Sequence, residues 1–329
     1  MPRCSPTTAR CRRRRTAGSV PRIHVFVAGA TGAIGRRLVP ALLAAGHRVT
    51  GTTRSSERAG ALADAGATPV IVDVLDGPAL SRAVGEARPD VVVNQLTDLP
   101  DAPSPRGMKA AYAANNRARG EGGRNLLSAA RAAGAERYVT QSVAFFCRPT
   151  GQPGLRDEDT PLWTDAAGSF GEAVRVVEQV EREALAADGV VLRYGFFGGP
   201  GTWYDAEGAI GRLVRKRRYP LLGEGAGVHS FVHVDDAAAA TVAALRAPSG
   251  IYHVADDHPA PTSTWLPAFA SALGAKPPHR IPRPVLTLAG AGALAEWQES
   301  LEGADNARAK AVFDWTPVHA TWRTGFRDP

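Results

Sequence analysis

The chain has 329 residues, 44% of them hydrophobic and 22% charged, which are ordinary values for a globular protein with room for one large α/β domain or two domains. Its net charge of +7 would suit a nucleic-acid partner, but residues 1–22 hold seven arginines and no acid. Removing those seven leaves 32 basic against 32 acidic residues, so the body of the chain is neutral and we expect no nucleic-acid partner for it.

The first 21 residues form a basic segment with no apolar core, which excludes a secretory signal peptide. We predict that residues 1–21 are a disordered basic tail; a start codon placed too early would give the same pattern, and an arginine run can also bind nucleic acid or an anionic surface. Two of the three cysteines, Cys4 and Cys11, lie in this segment, so we predict neither a disulfide framework nor a metal site.

The longest apolar run, at residues 285–295, is well short of the roughly 20 residues that a membrane span needs. We therefore expect no membrane segment and a cytoplasmic protein.

The first predicted unit is a strand, a glycine turn, a helix and a second strand. Residues 23–28 are rich in β-formers, a helical pattern covers residues 33–45, and residues 47–54 form the next strand. Between the first strand and the helix stands GATGAIG, whose glycines permit a tight turn, close approach of backbone to a pyrophosphate, and close packing of helix on strand. The unit predicts a dinucleotide site formed by Gly29, Thr31, Gly32, Ala33, Ile34 and Gly35.

The end of the second predicted strand bears on the choice between NAD and NADP. An NAD site usually carries an acid about 20 residues after the glycines, whereas residues 52–55 read TTRS. Arg54 can pair with a 2′-phosphate, and Arg36, just after the third glycine, can reach the same group; both also fit plain surface arginines. We expect NADP as the cofactor, ahead of NAD, with Asp73 and Val74 flanking the adenine.

Strands and helices continue to alternate along the first half of the chain. Further strands are predicted at residues 67–74, 90–96 and 136–145, and helices at residues 77–87 and about 105–133. The apolar run at residues 90–96 is typical of a strand buried on both faces. The pattern predicts an α/β fold with a Rossmann-like, doubly wound parallel sheet.

Beyond residue 146 the pattern changes to a long polar loop, a helix at residues 169–187 and a strand at residues 189–197. The irregular remainder carries predicted helices at about residues 206–217, 235–246, 263–273 and 285–300. We assign residues 22–195, including the helix 169–187, to a Rossmann domain. Residues 196–329 are mostly a smaller C-terminal substrate-binding domain, with residues 228–255 returning to the Rossmann core.

Seven stretches together resemble the extended branch of the short-chain dehydrogenase/reductase superfamily, over about residues 22–327. They are GATGAIG, Asp73-Val74, NLLSAARAAGAERYVTQSVAF, LRYGFFGGPGT, FVHVDDAAAA, GIYHVAD and NARAKAVFDWTP. The branch includes NAD(P)-dependent sugar epimerases, dehydratases and reductases. The resemblance implies a Rossmann domain with a smaller substrate domain, a small-molecule substrate, and a homodimer by analogy alone.

The resemblance also implies a catalytic Ser, Tyr and Lys, and two of these are missing. Ser142 matches the family Ser, which would orient the substrate oxygen. None of the six tyrosines has a Lys four residues later, and alignment puts Phe170 and Val174 at the two places. Phe cannot transfer a proton, so the chain resembles an atypical member.

Three consequences stay open. The first is redox or epimerase chemistry with a relocated acid, for which Tyr194, Tyr204 and His229 are the candidates. The second is a non-redox reaction on the same scaffold, and the third is a catalytically silent, NADP-responsive regulator. A small-molecule pocket is suggested by aromatic residues in the second half of the chain, namely Trp163, Trp203, Tyr204 and Phe231, although these residues equally fit core packing.

Overall fold

The computed structural model describes residues 22–100 and 108–326. The predicted basic tail lies outside the described residues.

The strands follow the predicted alternation through the first half of the chain and become short in the second. In chain order they are β1 His24–Ala28, β2 Arg48–Thr53, β3 Thr68–Ile71, β4 Val91–Asn94, β5 Arg137–Val143, β6 Val190–Tyr194, β7 Phe196–Gly198, β8 Leu221–Leu222, β9 Val228–His229, β10 Phe231–His233, β11 Gly250–Val254, β12 Ala260–Pro261 and β13 Arg280–Ile281.

Helices separate most of these strands. They are α1 Gly35–Ala44, α2 Ser56–Asp64, α3 Gly77–Ala87, α4 Met108–Arg117, α5 Gly123–Ala132, α6 Gly168–Leu185, α7 Ala209–Arg215, α8 Val234–Ala244, α9 Thr262–Ala272, α10 Arg283–Leu288, α11 Gly292–Glu299, α12 Ala307–Phe313 and α13 Trp322–Gly325. A π-helical turn at Ala118–Gly122 joins α4 to α5, and a 3₁₀ turn at Ala144–Phe146 follows β5.

Seven parallel strands form the central sheet in the order β11-β6-β5-β4-β1-β2-β3. Helices α1 and α8 pack on one face around Leu38 and Leu42, and α3 and α5 pack on the other around Leu80 and Leu126. This architecture confirms the predicted Rossmann-like sheet. The strand order reverses between β1 and β4, and ligands of such sheets bind beside the carboxyl ends of the strands at that point.

Glycines account for two places where the observed elements are shorter than the predicted ones. The predicted strand 189–197 ends at Gly195, where a Cβ would stand 2.5 Å from the Ser230 carbonyl oxygen, and the chain continues as β7 beside β10. The predicted helix 285–300 is interrupted at Gly290, which has a φ of +77°. The first break places Gly195 and Phe196 in the wall of the cleft described below.

Within residues 22–100 and 108–326, no helix has both the length and the apolar character required to cross a bilayer.

Candidate functional site

The glycine turn between β1 and α1 is built from backbone packed against backbone. Gly29 has a φ of +85°, and a Cβ there would stand 2.4 Å from the Gln95 carbonyl oxygen. A Cβ on Gly35 would stand 2.3 Å from the Gly29 carbonyl oxygen, so α1 can begin only if this residue has no side chain. Gly32 N donates to Gly29 O at 3.1 Å and closes the turn. The turn thus presents backbone at the mouth of the sheet, a shape that fits a pyrophosphate.

The remaining residues of the turn divide between core and surface. Ile34 is buried and stands at the N-terminal cap of α1, whereas Thr31 and Ala33 are half-buried and Gly32 is exposed. Gly32, Thr31 and Ala33 are therefore open to a ligand, and Ile34 anchors the helix beneath them.

The two arginines predicted to hold a 2′-phosphate have different surroundings. Arg54, just beyond β2, donates from Nη2 to Asp98 Oδ1 at 2.9 Å and keeps 63% of its side chain exposed. Arg36 Nη2 lies 3.3 Å from the position that a Cβ on Gly201 would take, so this guanidinium lies over the loop that follows β7. Arg54 is the one that stands at the end of the second strand, where the ribose is expected.

Asp73 and Val74 follow β3. Asp73 is exposed, and its Oδ1 accepts from Leu75 N at 3.0 Å. Val74 is buried against Gly122 of the π-helical turn, and its carbonyl oxygen accepts from Asn125 Nδ2. The pair shapes the edge of the sheet at the predicted adenine position.

Ser142 belongs to a buried ionic network under the sheet. Its Oγ donates to Glu181 Oε1 at 2.5 Å, and the same carboxylate accepts two hydrogen bonds from Arg193, at 2.8 and 2.7 Å. The side chains of Glu181 and Arg193 are 5% and 4% exposed. The hydroxyl is thus engaged within the core, and its predicted role toward a substrate oxygen stays a prediction.

Tyr194 points into the core between the sheet and α8. Its hydroxyl hydrogen-bonds to Gln95 Nε2 at 3.1 Å and to Thr241 Oγ1 at 2.7 Å, and the residue is fully buried. Burial raises the pKa of this phenol to about 12. The environment is that of a buried tyrosine whose hydroxyl is satisfied by its neighbours.

Tyr204 and His229 belong to the core of the second region, around Phe231 and Trp265. Burial raises the pKa of Tyr204 well above its ordinary value, and Tyr219 is its hydrogen-bond partner. Burial lowers the pKa of His229 to about 4, so its imidazole is neutral at pH 7.

Phe170 and Val174 lie on the first turns of α6, beside the carboxyl end of β5. The Phe170 ring is half-buried among three aromatic rings, with centroid distances of 5.2 Å to Phe146, 5.9 Å to Trp163 and 5.6 Å to Trp297. Val174 is fully buried in the apolar cluster beneath them. An aromatic surface stands where the alignment predicts a proton donor.

A narrow cleft that is open to solvent lies next to this surface. The ends of β5 and β6 supply Phe145 and Phe196, whose rings stack 4.2 Å apart with an interplanar angle of 12°. Residues 300–304 form the opposite wall, where Glu302 accepts from the backbone N of Thr150 and pairs with Arg156 at 3.2 Å.

Trp163 was predicted among the aromatic residues, whereas Phe145 and Phe196, which line the cleft, and Trp297, which contacts both of their rings, were not. Phe145 and Phe196 could have been found from their positions, because each comes two residues after the carboxyl end of β5 or β6, where ligands of parallel sheets bind. Trp297 lies more than 100 residues further on, and no local pattern links it to the other two. In the part of the chain that the structure describes, no three side chains of His, Cys, Asp or Glu converge as metal ligands.

Comparison with known proteins gives consistent matches over most of the chain. A family model for the NAD dependent epimerase/dehydratase family matches residues 25–255. A 3-diazoavenalumate denitrifying reductase from Streptomyces sp is 44% identical over 311 residues, which cover 92% of this chain and 99% of that protein. The dTDP-4-dehydrorhamnose reductase of Streptomyces griseus is 29% identical over 279 residues, 82% of each protein. The crystal structure of the Thermus thermophilus UDP-glucose 4-epimerase in complex with NAD has a TM-score of 0.68 at 25% identity and covers 93% of this chain and 97% of that one.

Proposed function

The chain belongs to the NAD dependent epimerase/dehydratase family and is an NAD(P)-dependent enzyme of the oxidoreductase or epimerase kind, and from this premise we propose that it is an NADPH-dependent reductase of diazo compounds. One observation carries the proposal: apolar side chains, Phe170 and Val174, line the place where the family resemblance expects an acid and its partner.

Reduction of a carbonyl group requires a proton donor in the site. Hydride addition to a carbonyl carbon leaves an alkoxide, which must be protonated or stabilised. Of the four residues suggested for this chemistry, Ser142, Tyr194 and Tyr204 are buried with their hydroxyls hydrogen-bonded to protein neighbours, and His229 is 1% exposed with its Nδ1 near the Gly227 carbonyl oxygen. Within this proposal the four residues have structural roles, because their burial keeps them from supplying a proton readily to the cleft.

Reduction of a diazonium carbon has no such requirement. Hydride supplied by NADPH takes the place of nitrogen on carbon, so that one diazonium ion and one NADPH give one hydrocarbon C–H product, one N₂ and one NADP⁺. No oxyanion forms, and no proton has to enter. The name of the relative at 44% identity describes a denitrifying reductase of a diazo compound, which supports this substrate class.

In this proposal the protein supplies the cofactor site and orients the substrate for hydride transfer. Gly29, Gly32 and Gly35 would hold the pyrophosphate against backbone, and Arg54 would pair with the 2′-phosphate, which favours NADPH over NADH. Phe145 and Phe196 would hold the substrate at the ends of β5 and β6. Such positioning is the main contribution that a protein makes to hydride transfer.

The test is turnover by the full chain with NADPH and 4-carboxybenzenediazonium. We expect loss of NADPH absorbance and formation of benzoate and N₂ in equal amounts, above the rate without protein. Gly35→Ala should abolish this turnover because its Cβ collides with the Gly29 carbonyl oxygen. If NADPH binds in calorimetry but no benzoate forms above background, the reductase proposal fails and a cofactor-responsive regulator becomes the better interpretation.

A further inference from the structure

Arg119 points into the protein from the helical segment that joins β4 to β5. Its neighbours Arg117 and Arg124 are exposed and hydrogen-bond to groups of the same segment. Arg119 belongs to the π-helical turn Ala118–Gly122, and its Nε is shielded from solvent. Turns of this type are rare and occur frequently at functional sites. This one carries a charged side chain from a surface segment into the interior.

The Arg119 side chain lines a small cavity between the sheet and α6. Gly120 permits this close approach, because a Cβ there would stand only 3.3 Å from Val176 Cγ1 on α6. The cavity has room for about one water-sized species, and it shares no lining residue with the aromatic cleft. Its wall combines polar residues of the sheet with valines of α6, namely Asn94, Thr140, Gln141, Val177 and Val180.

The guanidinium brings a positive charge to this cavity without an acidic partner. Among residues 22–100 and 108–326, no carboxylate forms an ion pair with Arg119, and its buried Nε has no hydrogen-bond acceptor. Burial lowers the pKa of Arg119 to about 10, so the side chain is still a cation at pH 7. A buried charge is costly unless a counter-charge or hydrogen bonds compensate it, so the compensation here has to come from a bound species.

We propose that this cavity is a binding site for a monatomic anion and that chloride is its ligand. The guanidinium of Arg119 supplies the charge, and the Thr140 hydroxyl on the same wall is a rotatable O–H donor. Room for one water-sized species is too small for phosphate, sulfate or a carboxylic acid, whereas chloride is the common anion closest to water in size. The site is independent of the proposed function, because neither the cleft nor the glycine turn contributes to it.

The test compares melting temperatures of the full chain in sodium chloride and in sodium gluconate at equal ionic strength and pH 7. Gluconate is too large for the cavity, so the two salts separate anion binding from charge screening. We expect chloride to raise the wild-type melting temperature by about 2 °C or more and to saturate, because a ligand that binds only the folded state stabilises it.

Substitutions locate the site of this effect. Arg119→Gln should lose the chloride-specific rise, and in gluconate it should melt at the wild-type temperature or above, because it no longer buries an uncompensated charge. Arg117→Gln removes an exposed arginine of the same segment and is the matched control, which should keep the full rise. Arg54→Ala should keep it as well, which separates the cavity from the expected nucleotide phosphate position.

A second measurement needs no variant and therefore does not depend on whether Arg119→Gln folds. Wild-type crystals soaked in sodium bromide should show an anomalous diffraction peak beside the Arg119 guanidinium, because bromide resembles chloride in charge and size. Equal wild-type melting temperatures in the two salts, an undiminished chloride effect in Arg119→Gln, its loss in Arg54→Ala, or a cavity without bromide would each overturn the inference.

Discussion

Two side chains, Arg54 and Cys147, have surroundings that lead to specific predictions. Arg54 stands at the expected ribose position and already has a partner in Asp98, whereas Cys147 is the one thiol that the cleft wall contains among the described residues. The effect of Arg54 on nucleotide binding and the reactivity of the Cys147 thiol can be measured separately.

Arg54→Ala should weaken NADPH binding about tenfold or more, since hydrogen bonds to charged groups contribute about 1.5–3 kcal/mol, and should leave NADH binding nearly unchanged. Asp98→Asn should strengthen NADPH binding, because it removes the carboxylate that competes with the 2′-phosphate. Calorimetric titration with both nucleotides measures each effect. Equal losses for NADPH and NADH in Arg54→Ala would show that the 2′-phosphate binds elsewhere.

Cys147 should react slowly with iodoacetamide at pH 7.5 and faster as the pH rises toward 11. The thiolate is the reactive form, and burial raises the pKa of this thiol to about 11, so its thiolate fraction is about a hundredfold below that of an ordinary thiol. Rates measured by mass spectrometry of the Cys147 peptide, with glutathione as the reference, give the profile. A rate that levels off near pH 8.5 would contradict the assigned environment.

Elements of the first half of the chain could be read from the sequence, because each depends on local signals. The glycine turn, α1 and the strands through β5 follow from short-range hydrophobic patterns and glycine positions. The split of the sixth strand at Gly195 could not be read in this way, since it depends on the Ser230 carbonyl, which lies 35 residues further along the chain. The same holds for Trp297, whose place in the cleft depends on packing between distant elements.

Helix α6 carries two ion pairs that should differ greatly in their effect on stability. Glu181→Gln leaves the buried Arg193 without its charged partner, which typically costs about 3–5 kcal/mol. Glu178→Gln on the same helix removes an exposed pair with Arg182, which is worth less than about 1 kcal/mol. Urea unfolding followed by circular dichroism compares the two variants. Similar midpoints would mean that the buried network does not hold α6 to β6.

The whole molecule should lose stability as the pH falls below about 6.5. Burial lowers the pKa of His229 to about 4 and that of His253 to about 3, so the unfolded chain binds protons between those values and 6.5 while the folded protein does not. Burial raises the pKa of Asp256 to about 7, and this carboxyl acts in the opposite direction, because the stability it contributes at low pH is lost as the pH rises toward 7.

A substitution isolates the histidine contribution. Between pH 6.5 and 5, His253→Leu should lose about 2 kcal/mol less unfolding free energy than the wild type. The variant has one fewer histidine that takes up a proton only when the chain unfolds. His279→Leu, at an exposed position, is the control and should follow the wild type. Chemical denaturation at the two pH values measures the difference, and parallel losses in all three proteins would contradict the prediction.

The cleft joins parts of the chain that are far apart in sequence. Glu302 reaches back across 152 residues to Thr150, whereas the glycine turn and the strand beside it lie within the first hundred residues. During synthesis, which proceeds from the N-terminus, the glycine turn is therefore complete long before residues 300–304 can close the cleft. Contacts of such long sequence separation also form slowly. The glycine turn thus precedes the cleft in the order of assembly, and a nucleotide cofactor has the opportunity to bind a chain whose cleft has not yet closed.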